Sequence, residues 1–299
     1  VDFYQTLEEG CFSVHLNEYA FVAILKACTK LKDAERGSRI HVQIARRGFL
    51  ESNAILGTAL VDMYCNCGML KKAREVFEKL PEHDVVAWTS LISGYAQHNQ
   101  SNMALVSFQL MLTQGICPSS ATFVCVLKAC GDVGDEDKGF EIHVEVVRKG
   151  LLKTNALVGN ALVDMYAKCG LLEKAREVLD EFPVRNIISW NALITGYAQQ
   201  GQNHEVLNSV DQMRSEGLSP DGVTFICLLK ACGSTGAIDK GEQIHEEIVA
   251  RGLLEQDAVL ANALVDMYAK CAALSKAWKI IEERNIQDVV SWNALIAGY

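Results

Sequence analysis

The stretch NALVDMYAKCG, residues 160–170, decides the fold because it occurs three times. TALVDMYCNCG begins at Thr58 and NALVDMYAKCA at Asn262, so the copies start 102 residues apart. Trp88, Trp190 and Trp292 keep the same step, as do His41, His143 and His245 and the LKAC phrases at Leu25, Leu127 and Leu229. Self-similarity at a fixed period marks a repeat architecture, in which each unit buries its apolar face on a neighbour. Around the phrase, Leu157, Ala161, Leu162, Met165 and Tyr166 fall at helical spacing, and Gly170 is placed as the C-terminal cap. A second stripe, Leu172, Ala175, Val178 and Leu179, predicts a partner helix that Pro183 closes.

A period of 102 residues exceeds one supersecondary element, so it must subdivide. VAWTSLISGYAQ from Val86, ISWNALITGYAQ from Ile188 and VLANALVDMYAK from Val259 share one pattern, apolar residues at helical spacing followed by a turn. Each period therefore holds three helical hairpins, at 120–155, 156–186 and 187–221 in the best-preserved copy, with lengths of 36, 31 and 35 residues. In the third, Val206, Val210 and Met213 form the stripe of the second helix, and Gly217 and Pro220 stop it. The same division yields 18–53, 54–84 and 85–119 before it, and 222–257 and 258–288 after it. Residues 1–17 and 289–299 match parts of a hairpin of the third kind, so the chain reads as a piece of a longer protein. The expected fold is all-α, a right-handed superhelical solenoid of stacked hairpins with a long surface for an extended partner.

Composition narrows the function classes. The 299 residues are 49% hydrophobic and 22% charged, which is too apolar for a disordered chain. No run of eighteen apolar residues suggests a membrane span, and nothing near Val1 reads as a signal or transit peptide. Eleven cysteines are spread along the chain, and two sets recur with the repeat: Cys28, Cys130 and Cys232, and Cys67, Cys169 and Cys271. They are expected to be small buried thiols in a reducing compartment. A formal charge of −9 argues against holding nucleic acid by bulk electrostatics alone. No cofactor or metal is expected, and Cys65-Asn-Cys67 lacks partners at zinc-ligand spacing.

The tetratricopeptide pattern W-x-x-L-G-x-x-Y is absent, and a fixed length of 34 does not accommodate 36, 31 and 35 in rotation. The rotation, with VGNALVDMYAKCG from Val158, IISWNALITGYAQ from Ile187 and LSPD ending at Asp221, resembles the PLS class of plant pentatricopeptide repeat proteins, which act on organellar RNA. The resemblance covers essentially the whole chain. It implies that the 36-, 31- and 35-residue hairpins are L, S and P repeats, and that the protein resides in a mitochondrion or chloroplast.

The resemblance also implies a site. In that family the fifth residue of a repeat and its last residue read one base of single-stranded RNA. Chemically, an Asn amide carries both a donor and an acceptor for a pyrimidine edge, whereas a small hydroxyl leaves room for a purine. Carried over, the pairs are Thr58 with Asp84, Thr89 with Ser119, Asn160 with Asn186, Asn191 with Asp221, and Asn262 with Asp288. The family code implies guanine for the first, cytosine for the third and uracil for the last two. Thr89 with Ser119 departs from it and is assigned adenine, while Asn293 opens a site whose last residue lies beyond the chain. The L repeats carry Val22, Val124 and Ile226 at position five, and aliphatic side chains cannot hydrogen-bond a base. The implied target is 5′-NG(A)NCUNU-3′. At position two stand Ile55, Val86, Leu157, Ile188, Val259 and Val290, which in the family sandwich the bases; the alternative is that they pack neighbouring helices.

Rival functions carry their own signatures. A zinc cytidine deaminase, the domain that follows such repeats in many plant editing factors, needs His-x-Glu followed by Pro-Cys-x-x-Cys. His143-Val-Glu145 and His245-Glu-Glu247 have the first half only, so the repeat tract is not expected to be an enzyme. A protein-binding scaffold is the other rival, favoured by the net charge and opposed by the polar residues confined to two register positions. Lys168 and Lys270 are candidate phosphate contacts. Multiple organellar RNA editing factor proteins and a deaminase domain in cis or in trans are the implied protein partners. The acidic group Asp132, Asp135, Glu136 and Asp137 is expected to be a solvated loop.

Overall fold

The computed structural model describes residues 17–183, 185–255, 257–284 and 289–298, and the regular structure among them is helical. The chain divides into two compact units, residues 1–133 and 134–299. In the first, α1 (Glu18–Leu31) pairs with α2 (Ala34–Arg46), and the short α3 (Phe49–Ser52) leads to α4 (Ala54–Asn66) and α5 (Leu70–Glu78). The next hairpin is α6 (Val85–Gln97) with α7 (Ser101–Thr113), and α8 (Ser120–Val133) ends the unit. Each first helix packs on the first helix of the next hairpin, α1 on α4, α4 on α6 and α6 on α8.

The second unit opens with α9 (Glu136–Arg148) and the short α10 (Leu151–Thr154), then pairs α11 (Ala156–Lys168) with α12 (Leu172–Asp180) and α13 (Ile187–Gln199) with α14 (Asn203–Ser215). It continues with α15 (Gly222–Thr235) and α16 (Ile238–Ala250), a 3₁₀ turn at Leu253–Glu255, α17 (Ala258–Lys270) with α18 (Leu274–Glu283), and α19 (Val289–Gly298). Stacking again runs through first helices, α11 on α13, α13 on α15, α15 on α17 and α17 on α19.

Local chemistry sets where these helices start. An Asn or Asp side chain accepts a backbone N–H at the N-terminus of seven first helices: Asn17, Asn53, Asp84, Asn155, Asn186, Asp221 and Asp257. Such a cap satisfies a donor that the helix itself leaves unpaired, and is worth about 1 kcal/mol. At the other end of α11, Gly170 adopts φ +80°, the left-handed conformation that lets its chain reverse into α12. Gly196 sits mid-helix for a different reason: a Cβ there would lie 2.7 Å from Leu172 Cδ2 and 2.9 Å from Ala167 Cβ. Only a bare Cα allows α13 to cross α11 this closely.

The core of the second unit is built from Leu162, Met165 and Tyr166 on α11, Trp190 and Leu193 on α13, and Phe225 and Leu228 on α15, all buried. Leu172, Ala175, Val178 and Leu179, and Val206, Val210 and Met213, are buried as the periodicity requires. Leu157 is a correction. It is 65% exposed, and the buried face of α11 runs instead through Val158, Leu162, Val163, Met165 and Tyr166. Residue 157 lies about 100° around the helix from 158, which turns it away from the core.

The recurring histidines are packing groups. His41, His143 and His245 each place Nδ1 2.9 Å from a buried tyrosine hydroxyl, of Tyr64, Tyr166 and Tyr268. Burial pushes Tyr166 up to about 12, so it stays protonated. The two cysteine sets part: Cys28, Cys130 and Cys232 are buried, but Cys67, Cys169 and Cys271 are only half-buried, at the C-caps of α4, α11 and α17. The acidic group spans the junction of two helices rather than a loop alone. Asp132 lies in α8, Asp135 caps α9 by accepting Lys138 N–H, and Glu136 and Asp137 occupy its first turn, where negative charge suits the helix dipole.

Candidate nucleic-acid interface

Where both members are described, a proposed reading pair takes one residue from the first two turns of a first helix and the other from the residue that precedes the next first helix. The clearest is Asn191 with Asp221, where the amide Nδ2 donates to both carboxylate oxygens at 2.9 and 3.0 Å. The Thr224 hydroxyl donates to the amide oxygen at 2.6 Å and accepts the Asp221 backbone N–H at 3.2 Å. Asp221 in turn accepts the Thr224 N–H at 3.0 Å, so the same carboxylate caps α15 and orients Asn191.

Thr89 and Ser119 meet through a third side chain. Thr89 donates to the Val85 carbonyl at 2.6 Å, which uses its single hydrogen. The Thr122 hydroxyl, 2.7 Å away, must then donate to Thr89, and Ser119 donates to Thr122 at 2.9 Å. Asn262 follows the Asn191 pattern at its oxygen, which accepts from the Ser291 hydroxyl at 2.7 Å. Its expected partner Asp288 lies outside the described residues. Asn293 is exposed on α19.

The other two pairs are not joined by a hydrogen bond among the described residues. Thr58 is half-buried, and Asp84 is exposed and caps α6 by accepting Ala87 N–H at 2.8 Å. Asn160 is buried at 7% exposure, and its Oδ1 has no hydrogen-bond partner. Asn186 accepts the N–H groups of Ile188 and Ser189 at 2.9 and 3.0 Å, while Ser189 completes the capping box. Val22, Val124 and Ile226 occupy the equivalent fifth positions of the long hairpins, half-buried.

The second positions separate from the core. Ile55 is 69% exposed, Val86 55%, Leu157 65%, Ile188 59%, Val259 60% and Val290 65%. None of the six is buried in the core. Within each unit, large aliphatic side chains are thus left in water at one register position of the 31- and 35-residue hairpins, one turn from the polar fifth residue.

Electrostatics corrects one expectation. Lys168 and Lys270 are not uncommitted cations: each reaches back one turn to a carboxylate, Asp164 at 2.9 Å and Asp266 at 2.7 Å. In the first copy Asn66 binds Asp62 in the same way at 3.0 Å. Exposed pairs of this kind are worth about 0–1 kcal/mol, so a phosphate can compete for the lysine, but the net charge it meets is small. Among the described residues no group of three or more His, Cys, Asp or Glu is placed to hold a metal ion.

Two features escaped the sequence. The last residue of a hairpin is polar because it caps the next helix, and Asn53, Asn155 and Asp257 cap helices after the long hairpins too. Polarity at that position therefore does not by itself oppose a scaffold. The third residues Thr122, Ser189, Thr224 and Ser291 are fully buried hydroxyls, and their recurrence after Ser119, Asn186, Asp221 and Asp288 was the signal available.

Known proteins match this architecture. The PPR repeat family matches residues 83–132 and 185–234, and the PPR repeat matches 58–85, 160–187 and 223–253, together more than half of the chain. The chain belongs to the pentatricopeptide repeat family. A chloroplastic pentatricopeptide repeat-containing protein of Arabidopsis thaliana is 37% identical over 278 residues, 93% of this chain and 34% of its own length. A mitochondrial one from the same plant is 37% identical over 276 residues, 92% of this chain and 43% of its own. The chain thus spans less than half of either relative. The crystal structure of the pentatricopeptide repeat protein PPR10 in complex with an 18-nt psaJ RNA element superposes with a TM-score of 0.76 at 16% identity, over 99% of this chain and 49% of that one. Pentatricopeptide repeat solenoids therefore share its all-α fold.

Proposed function

We propose that this pentatricopeptide repeat chain binds single-stranded RNA, one base per short hairpin, as the target-recognition part of an organellar C-to-U RNA editing factor. The observation that carries the proposal is the set of six exposed aliphatic residues, Ile55, Val86, Leu157, Ile188, Val259 and Val290, each beside a polar fifth residue. Together they supply what a splayed base requires, apolar surface for its faces and hydrogen-bonding groups for its edge. The PPR10 structure contains RNA, and the relatives are named as chloroplastic or mitochondrial, which supports an RNA ligand and an organellar location.

In this reading the hairpins 18–53, 120–155 and 222–257 are L repeats, 54–84, 156–186 and 258–288 are S repeats, and 85–119 and 187–221 are P repeats. At the Asn191–Asp221 hairpin the carboxylate is suited to accept N3–H of uracil, and the second hydrogen of the Asn191 amide to reach a uracil carbonyl. Cytosine has no hydrogen at N3 and would turn a lone pair toward the carboxylate. Editing factor proteins and a deaminase domain belong to the proposal through the PLS rotation of repeat lengths. The test is binding of the chain to an RNA containing 5′-NGANCUNU-3′ and to versions with single bases exchanged. Tight binding to the first, weakened by each exchange at a reading position, is the expected result. Equal affinity for all would sink the base code and leave a protein scaffold, which the charge of −9 favours.

A further inference from the structure

We propose that the hydroxyl on the third residue of the following hairpin is a specificity-determining positioning group. Thr224, Ser291 and Thr122 hold the side chains of Asn191, Asn262 and Thr89 in one orientation, and so select the polar atom that meets the base. The inference deepens the base-per-hairpin reading and rests on it.

A primary amide has nearly the same shape after a half-turn about its last torsion, which exchanges C=O and NH2. An unclamped Asn can therefore donate to a uracil carbonyl or accept from the amino group of cytosine, and only its other hydrogen bonds can choose. At Asn191 two neighbours choose alike. The Thr224 hydroxyl points its hydrogen at Oδ1 from 2.6 Å, and Asp221 accepts from Nδ2 at 2.9 and 3.0 Å. A flipped amide would set its oxygen against the Asp221 carboxylate and lose that bond, and its NH2 would meet the Thr224 oxygen only if the hydroxyl turned its hydrogen away to Asp221 Oδ1, 3.0 Å off.

The remaining hairpins act as internal comparisons. Ser189 stands at the same register, yet its hydroxyl donates to the Asn186 carbonyl at 2.8 Å and accepts the Asn186 N–H at 3.1 Å. It makes no bond to Asn160, whose oxygen has no hydrogen-bond partner among the described residues. The third-residue hydroxyl thus has two settings, turned onto the fifth residue at Asn191 and Asn262, and kept within its own cap at Asn160. At Thr58 the device is missing, because the third residue there is Ala87. Helix capping explains the acceptor half of the Thr224 hydroxyl; its one hydrogen has two acceptors in reach, Asp221 Oδ1 at 3.0 Å inside the cap and the Asn191 oxygen at 2.6 Å on the neighbouring hairpin, of which Asn191 is the nearer. Thr122, Ser189, Thr224 and Ser291 have no exposed surface, so they act through the fifth residue and not by touching RNA.

The experiment uses the 299-residue chain with Thr224→Val, which removes the hydroxyl at nearly constant shape, and Thr224→Ser, which restores it. The probes are two single-stranded RNAs that differ only in uracil or cytosine opposite the Asn191 hairpin. A net hydrogen bond of about 1 kcal/mol corresponds to about a fivefold fall in the uracil-over-cytosine ratio for Thr224→Val. The ratio is expected to survive in Thr224→Ser and to stay unchanged opposite Asn262 in both variants. If Thr224→Val weakens both RNAs equally and keeps the ratio, the residue is only a helix cap and the inference is overturned. A wild-type chain indifferent to uracil and cytosine would instead refute the base-reading function itself. Should Thr224→Val fail to show cooperative unfolding, Ser291→Ala with the base varied opposite Asn262 applies the same criterion.

Discussion

Replacing Asn160 by Thr and Asn186 by Asp together tests whether the fifth and last residues of a hairpin read a base. Asn160 is 7% exposed with an unpartnered amide oxygen, a group whose desolvation costs about 1–3 kcal/mol. Thr carries no such carbonyl, has a helix propensity close to that of Asn, and can bond its hydroxyl to the preceding turn, as Thr89 does to Val85 at 2.6 Å. The Asn186→Asp change would keep the cap that Asn186 provides and add a negative charge at the N-terminus of α13, worth about 0.3–1 kcal/mol. The double variant is therefore expected to gain about 1 kcal/mol, a rise of about 2–4 °C in Tm for a unit of this size. Its base preference should move from cytosine to guanine, by a factor of about 5 to 150 if the hairpin discriminates by about 1–3 kcal/mol. Fluorescence anisotropy on short RNAs that differ at that single base measures the second, and thermal unfolding measures the first. A folded variant that still prefers cytosine refutes the base assignment; a fall in Tm refutes the account of the buried oxygen.

Leu157→Ser with Ile188→Ser should leave Tm within about 1 °C, because both side chains are exposed, yet lower RNA affinity at least about fivefold by removing apolar cover from one base. Gly196→Ala should lower the unfolding free energy of the second unit by about 1–3 kcal/mol, since the added Cβ meets Ala167 and Leu172 at less than 3.0 Å; unchanged denaturant stability would contradict the close crossing. Burial holds His41, His143 and His245 below their ordinary value, whereas in the unfolded chain they titrate near 6.5. The unfolded state then binds more protons, so stability is complete above about pH 6.5 and falls as the pH drops below it; Tm measured from about pH 7.5 to 5.5 should decline, and less steeply in His143→Gln.

The polar residues of the site divide by what a sequence can express. The capping duty of Asp84, Asn186 and Asp221 is local, a contact between residues three apart, although their polarity was read from the sequence only as base recognition. Their second duty, toward a fifth residue about thirty positions upstream, rests on the stacking of one hairpin on the next. Asn191 and Asp221 are hydrogen-bonded directly, Thr89 and Ser119 only through Thr122, and Asn160 and Asn186 by no hydrogen bond among the described residues, although the sequence pattern treats the pairs alike. Leu157 shows the same limit from the apolar side. Periodicity admits it to either edge of a stripe, and only the packing direction of α11 puts it in water.

By itself, then, the sequence determined the 102-residue period, the hairpins and the helix starts, because these follow from spacing, turns and caps within a few residues of each other. The tertiary structure decided which apolar residues stay exposed, which lysines are already paired with Asp164 and Asp266, and where the hydroxyl of each third residue points. Those outcomes depend on the distance and angle between neighbouring helices, set by close approaches such as Gly196 against Ala167, and a local pattern carries no information about them.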